Sequence, residues 1–92
     1  MELKLTGKLK QQKRWVIATC PELDVASQGD DEQDAKRMLS EAVRIFLEET
    51  TRMGTLDKIL TEAKLPCVPS GERLKVKLDF GQGAEVAFTT VL

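Results

Sequence analysis

A chain of 92 residues is long enough for one domain and too short for two. Its composition, 41% hydrophobic and 32% charged, excludes a disordered tail and a fibrous repeat. The 14 basic and 15 acidic side chains leave a formal net charge of -1, which weighs against a protein that grips nucleic acid with its whole surface. Histidine is absent, so the commonest general base and every Ser-His or Cys-His nucleophile arrangement are excluded.

No apolar run approaches the roughly 18 to 20 residues that a bilayer-spanning helix needs. The first five residues alternate apolar and charged side chains and lack the apolar segment of a signal peptide. We therefore expect a cytoplasmic protein without membrane contact. The two cysteines, Cys20 and Cys67, cannot make a disulfide framework, and we expect both to be small buried or half-buried hydrophobes.

The chain opens with three predicted strands. Over residues 2–10, leucines alternate with polar side chains, which is typical of a strand that buries one face of an antiparallel sheet. The polar stretch 11–13 suits a hairpin connection to a second strand, residues 14–20, whose two apolar faces indicate a central position. Pro21 ends this strand, and a short third strand follows over residues 24–28.

A long amphipathic helix comes next. Asp30 is a good N-cap, and Gln33 stands three residues later in capping-box register. The apolar side chains that follow recur every three or four residues and form one stripe: Ala35, Met38, Leu39, Ala42, Val43, Phe46 and Leu47. Ile45 falls outside this stripe. The helix should end over residues 50–53, and Gly54 can adopt the left-handed conformation that closes a helix.

A short second helix and two strands complete the chain. Thr55 can cap the helix, and its apolar positions are Leu56, Ile59, Leu60 and Ala63. After a loop over residues 65–72, residues 73–80 alternate as a strand, a glycine-rich turn reverses the chain, and residues 84–92 return. The order β-β-β-α-α-β-β defines an α+β fold: a three-stranded antiparallel sheet packed by one long helix, with a C-terminal β-hairpin.

Few residues form a pattern that is typical of a catalytic, metal-binding or nucleotide-binding site. The carboxylates near the helix start could in principle hold a hard cation such as magnesium: Asp24, Asp30, Asp31 and Glu32. Capping and the helix dipole already account for the last three, and the Gly81-Gln82-Gly83 run suits a hairpin turn better than a nucleotide site. We therefore predict no catalytic residue, no cofactor and no metal, in a protein that is not an enzyme.

Two sets of side chains are candidates for contact with a partner. The first is apolar and lies on strands: Trp15, Val86, Phe88 and Leu92. Trp15 suits a core position better than an interface, and the last strand is apolar enough to pair with another chain. The second set is basic and is a candidate nucleic-acid contact: Lys4, Lys8, Arg73, Lys75 and Lys77. If the strands that carry it share one sheet, it could face a phosphate backbone; the alternative is a solvated outer face, which we favour.

Residues 15 to about 47 resemble the HicB family of antitoxins. The resemblance rests on a motif that runs from the second strand to the helix: Pro21, Glu22, Leu23, Ser27, Gln28, Gly29 and Asp30. An acidic helix start with the stripe described above follows it, and the stretch 54–57 is similar to family members that carry a second helix. The likeness covers residues 1–64, a HicB-like domain, to which residues 65–92 would add a loop and β-hairpin within the same single domain.

Membership would imply a partial RNase H-like fold that lacks nuclease residues. It would also imply that the chain binds and neutralises a small HicA-type mRNA-cleaving toxin, and that it forms homo-oligomers, dimers or larger. Full-length antitoxins of this family append a DNA-binding domain, whereas residues 73–92 here form a predicted hairpin. The alternative is a nucleic-acid-binding or regulatory protein that uses the lysine-bearing sheet face. A metal-dependent nuclease is a third hypothesis that rests on fold analogy alone.

Overall fold

The computed structural model describes residues 1–92, which form six strands and two helices. The strands are β1 (Glu2–Thr6), β2 (Lys8–Gln11), β3 (Val16–Cys20), β4 (Val25–Gly29), β5 (Arg73–Gly81) and β6 (Ala84–Val91), and the helices are α1 (Glu32–Met53) and α2 (Leu56–Glu62). The α+β class and the C-terminal hairpin are confirmed. The chain contains one strand more than the sequence predicted.

The predicted three-stranded antiparallel sheet is confirmed as β2-β3-β4. β3 is its central strand, as its two apolar faces indicated, and Ile17 lies between Lys10 of β2 and Gln28 of β4. The third strand begins one residue later than predicted, because Asp24 takes a positive φ of 56° in the turn that follows β3. This sheet supports most of α1.

The second sheet joins the two ends of the chain. β1 pairs in parallel with β5, so that Leu3 lies opposite Val76 and Leu5 opposite Leu78, and all four side chains are buried. β5 then pairs with β6 in the antiparallel hairpin, which gives the strand order β1-β5-β6. The parallel pairing was not predicted, since strands at opposite ends of a chain leave no local signal that they are neighbours.

Gly7 divides the predicted first strand between the two sheets. The ring of Phe80 packs against Gly7, and a Cβ at this position would lie 2.4 Å from the ring atom Cε1. The Gly7 N–H donates to the Asp79 carbonyl at 2.8 Å, which ends the pairing with β5, and β2 begins at Lys8. The prediction of one unbroken strand was therefore wrong. Its alternation is confirmed, because Leu3 and Leu5 are buried while Leu9 packs against the core.

α1 begins one residue later than predicted. Asp31, not Asp30, is the N-cap, and its side chain accepts a hydrogen bond from the Asp34 N–H at 2.7 Å. Asp31 therefore takes the N-cap role predicted for Asp30. Asp34, not Gln33, bonds back toward the start of the helix, accepting from the N–H of Asp30, one residue before the N-cap, at 3.0 Å. This hydrogen bond from Asp30, followed by the Arg37 guanidinium, lowers the pKa of Asp34 below its ordinary value.

The junction of the two helices is tight. Gly54 closes α1 in the left-handed region at φ 76°, as predicted, and its N–H donates to the carbonyls of Thr50 and Thr51. Thr55 occupies the N-cap position of α2, but its backbone is helical and its hydroxyl makes no capping hydrogen bond. That hydroxyl points back to the Thr50 carbonyl, 3.5 Å away, so the predicted capping by Thr55 is wrong.

A single core of 16 buried hydrophobic residues lies between the helices and the two sheets. α1 contributes a buried stripe at steps of three and four: Ala35, Leu39, Val43, Leu47 and Thr50. Ile45 lies outside this stripe and is 61% exposed. Cys20 is buried as expected, whereas Cys67 is exposed in the loop before β5, so the expectation for the second cysteine is wrong. Neither helix combines the length and the apolar character needed to cross a membrane.

Candidate interaction site

A groove of about 700 Å³ separates α1 from the edge strand β6. It exists because α1 lies over β3 and β4 and meets β6 only at its margin. The helix contributes one wall, with Gln33, Lys36, Arg37, Ser40, Glu41 and Arg44. The other wall is the turn before β6 and the first half of that strand, with Gly83, Ala84, Glu85, Val86, Ala87 and Phe88.

Four residues of β6 form the apolar part of the groove, and two of them, Val86 and Phe88, are residues that the sequence predicted as partner contacts. Phe88 is 8% exposed and belongs to the core, and Val86 beside it is half-buried. β6 has β5 as its only strand neighbour, so its outer edge carries backbone groups without a ladder partner. A partially covered apolar surface and an open strand edge therefore meet in one groove.

Two of the cations that line this groove lie over aromatic rings. The Lys36 ammonium is 5.5 Å from the centroid of the Phe80 ring, and the Arg44 guanidinium is 5.0 Å from that of Phe88. Neither cation makes an ion pair, because the ion pairs of the chain involve Arg37, Arg52 and Lys77. Arg37 is held by Asp34 at 2.6 Å and by Glu41 at 3.5 Å.

The other two predicted apolar contacts lie elsewhere. Leu92 is half-buried and lines a smaller hollow of about 200 Å³ with Val68 and Leu56, near the end of α1. Trp15 immediately precedes β3 and is 41% exposed, so the core position favoured for it is wrong. The four predicted contacts therefore do not form one surface.

The basic residues predicted for nucleic-acid contact alternate with the buried positions of their strands. On the β1-β5-β6 sheet, Lys4 pairs in register with Lys77, and Lys75 pairs with Glu2. Lys77 bonds Glu2 at 2.5 Å and lies 4.0 Å from Glu85. The hydrogen bond with Lys77 lowers the pKa of Glu2, and the same bond raises the pKa of Lys77. Carboxylates thus partly neutralise this face.

The rest of the basic set is divided between the two sheets. Arg73 begins β5 and is exposed, and Lys8 lies opposite Thr19 on the β2-β3-β4 sheet. Lys4, Lys8, Arg73 and Lys75 take part in no ion pair. The condition set by the sequence, that the first strand and the strand starting at residue 73 share a sheet, is met for β1 and β5.

The residues of the family-like motif connect elements of the fold. Glu22, in the turn after β3, accepts hydrogen bonds from the Thr6 N–H at 3.1 and 3.0 Å and from the Thr6 hydroxyl at 2.8 Å. The motif residue Leu23 is buried at 4% exposure in the same turn, whereas Pro21 is exposed. Glu22 therefore ties this turn to β1.

The second half of the motif attaches β4 to the start of α1. Gly29 packs against the first turn of the helix, where a Cβ would lie 2.3 Å from the Ala35 backbone nitrogen. Asp30 contributes its N–H to the capping arrangement, while Ser27 is half-buried and Gln28 exposed. Within the described chain, no group of three or more His, Cys, Asp or Glu side chains could hold a metal ion.

Sequence reasoning missed Lys36, Arg44 and the edge of β6 as parts of one site. Lys36, Ser40 and Arg44 follow one another at steps of four on α1, which was a visible signal of a polar stripe beside the buried one.

Comparison of the chain with protein-family models, curated proteins and solved structures finds no match.

Proposed function

We propose that this chain is a non-catalytic protein-binding module, a HicB-like antitoxin that binds and neutralises a small HicA-type mRNA-cleaving toxin. In this proposal the antitoxin acts in the cytoplasm and forms a dimer or a larger homo-oligomer. The observation that carries the proposal is the groove between α1 and β6. It places an apolar surface, Val86 and Phe88, beside an open strand edge and two unpaired cations. A surface of this kind is suited to binding another polypeptide.

The arrangement of the elements is a second support for the proposal. The resemblance implies an antiparallel three-stranded sheet, then a helix, then a further strand, and β2-β3-β4, α1 and β5 occur in that order. The parallel pairing of β1 with β5 is compatible with the partial RNase H-like arrangement that the family would have. Two residues of the motif also have structural roles in this fold: Glu22 accepts a hydrogen bond from Thr6 of β1, and Gly29 leaves room for the first turn of α1.

The test is co-expression of this chain with the product of the adjacent open reading frame. We expect a small toxin to co-purify with it, and growth arrest by that toxin to be relieved. Val86→Asp should weaken the complex, because it puts a charge in the apolar part of the groove. Val91→Asp is the matched control, since Val91 is on the same strand, is 59% exposed and does not line the groove. An adjacent product that neither co-purifies nor arrests growth contradicts the proposal.

A nucleic-acid-binding or regulatory role is the second candidate, and a specific observation favours it. Lys4, Lys8, Arg73 and Lys75 are free of ion pairs, and Lys4 and Lys75 occupy adjacent strands of one sheet. We expect such a protein to be retained on RNA or DNA at low salt, with each lost phosphate contact reducing the salt slope by about 1. Lys4→Glu with Lys75→Glu should abolish retention, while Lys13→Glu with Lys58→Glu should not. Absence of binding at low ionic strength would end this candidate.

A further inference from the structure

We propose that the groove between α1 and β6 receives an extended acidic segment of the partner protein, which adds to the free edge of β6 as a further strand. This inference deepens the proposed function and rests on the chain being a protein-binding module. It specifies the conformation and the charge of the segment that is bound, which the resemblance does not. Three independent features of the molecule support it: the open edge of β6, the unpaired cations and the shape of the groove.

Among the four edge strands, β6 is the longest and offers the longest open edge. β2 is short and carries Lys8 and Lys10, and charged side chains on an edge discourage pairing with another chain. On β1, the Glu22 carboxylate already occupies the Thr6 N–H. β4 is short, with five residues, and α1 packs against it. β6 has eight residues, and its only charged residue is Glu85.

The charges of the groove favour an acidic occupant. Its two carboxylates already have basic neighbours, because Glu41 lies 3.5 Å from Arg37 and Glu85 lies 4.0 Å from Lys77. Lys36 and Arg44 have no such partner and lie over the rings of Phe80 and Phe88. Carboxylates on a bound segment would supply the counter-charges that these two cations lack.

The shape of the groove favours a peptide over a nucleic acid. The β6 residues that line it, residues 84–88, span about 17 Å at the rise of an extended strand and offer both N–H donors and C=O acceptors. A peptide backbone matches that alternation, and a sugar-phosphate backbone does not. Glu41 and Glu85 would also repel a continuous run of phosphates.

The experiment is a titration of the ¹⁵N-labelled protein with a synthetic eight-residue peptide in which Glu alternates with Val. We expect amide shifts and slowed hydrogen exchange at residues 84–88. Lys36→Gln with Arg44→Gln should weaken binding by about tenfold or more. The matched control is Lys13→Gln with Lys58→Gln, which removes two exposed lysines outside the groove and should leave the affinity unchanged. Unchanged helical circular dichroism in both double variants establishes that they fold.

Three further probes separate strand addition from simple charge attraction. A peptide N-methylated at alternate residues, on the edge that would face β6, should lose binding. A peptide with Lys in place of Glu should not bind. A single-stranded oligouridylate should not displace the acidic peptide. Equal binding of the N-methylated peptide, tighter binding of the oligonucleotide, or shifts confined to the β1-β5-β6 sheet face would each overturn the inference.

Failure of this inference is distinguishable from failure of the proposed function. If the adjacent gene product co-purifies but the acidic peptide does not bind, strand addition in the groove is wrong and the toxin-binding role stands. If the peptide binds as described but no adjacent product co-purifies, the toxin as partner is wrong and the groove stands. A dimer that Val86→Asp dissociates, and whose intact form does not bind the peptide, would place a second copy of the chain on β6 and would overturn the choice of occupant.

Discussion

Gly29 lies against the backbone of Ala35, so close that a Cβ on Gly29 would come within 2.3 Å of the Ala35 nitrogen. Both residues are buried, and Ala35 is the first buried position of α1. The contact therefore sets how closely the start of the helix approaches β4. A glycine is required here by lack of space and not by an unusual φ, since Gly29 is not among the glycines with positive φ.

Gly29→Ala should consequently be among the most damaging single substitutions. The added methyl group would meet backbone atoms, which cannot rotate away as a side chain can, so we expect a loss of about 3 kcal/mol in the free energy of unfolding. Chemical denaturation measures it. Ser27→Ala, on the same strand, is the control and should change little. A Gly29→Ala protein of unaltered stability would show that α1 is not held by this contact.

Asp31→Ala should destabilise the protein by about 1 kcal/mol, because its carboxylate accepts the hydrogen bond that caps α1. Asp30→Ala is the matched comparison: the contribution of Asp30 is its backbone N–H, which alanine retains. Urea midpoints of the two variants measure the difference. Equal losses would contradict the assignment of Asp31 as the N-cap.

Local patterns predicted most of the fold. The stripe of α1, the closing Gly54 and the β5-β6 hairpin each depend on residues that are near one another in sequence, so period and turn chemistry were sufficient. The break at Gly7 and the parallel pairing of β1 with β5 were missed, because both depend on Phe80 and its neighbours at the far end of the chain.

The candidate site was predicted less well, for a similar reason. Val86 and Phe88 stood out as apolar residues of a terminal strand, but their position opposite Lys36 and Arg44 depends on where α1 crosses the sheet. Trp15 was misjudged because tryptophan is mostly buried in proteins, while here it precedes β3 at the surface. Sequence pattern identifies a residue's face, and only packing decides what covers it.

The ion pair of Glu2 with Lys77 predicts a pH dependence of stability. The pKa of Glu2 is below its ordinary value of 4.5 in the folded protein, so this pair stabilises the fold above about pH 4.5. That contribution is lost as the pH falls through the lower, folded pKa. Unfolding measured from pH 7 to pH 2 should therefore show a difference between the native chain and Glu2→Gln that shrinks to nothing in acid. Glu62→Gln, which removes an exposed carboxylate without an ion pair, should show no such trend.

The two cysteines should differ sharply in reactivity. Burial raises the pKa of the Cys20 thiol to about 11. At pH 8 only about one Cys20 thiol in a thousand would then be ionised, so Cys20 would react slowly even if a reagent could reach it. Cys67 is exposed and should react at once. Titration with a chromogenic disulfide should give one thiol per chain in the fast phase, and Cys67→Ser should remove that phase. Two fast thiols would contradict the burial of Cys20.

Leu39 and Ile45 lie on the same helix and test the position of its buried stripe. Leu39 is fully buried, and Leu39→Ala should cost about 2 to 5 kcal/mol. Ile45 is 61% exposed, and Ile45→Ala should change stability by no more than about 0.5 kcal/mol. Thermal and urea unfolding of the two variants provide the measurement. A large loss at Ile45 would indicate that a second copy of the chain covers this side of α1.

The parallel pairing of β1 with β5 constrains the order in which the molecule can be assembled. Residues 8–53, which hold β2, β3, β4 and α1, find their strand and helix partners within that stretch, whereas β1 has none before residues 73–81 have been synthesised. Leu3 and Leu5 are buried in the folded protein, but they must remain exposed to solvent until β5 has been synthesised. A nascent or truncated chain that lacks β5 would thus expose a short hydrophobic segment, and holdase chaperones bind segments of this kind.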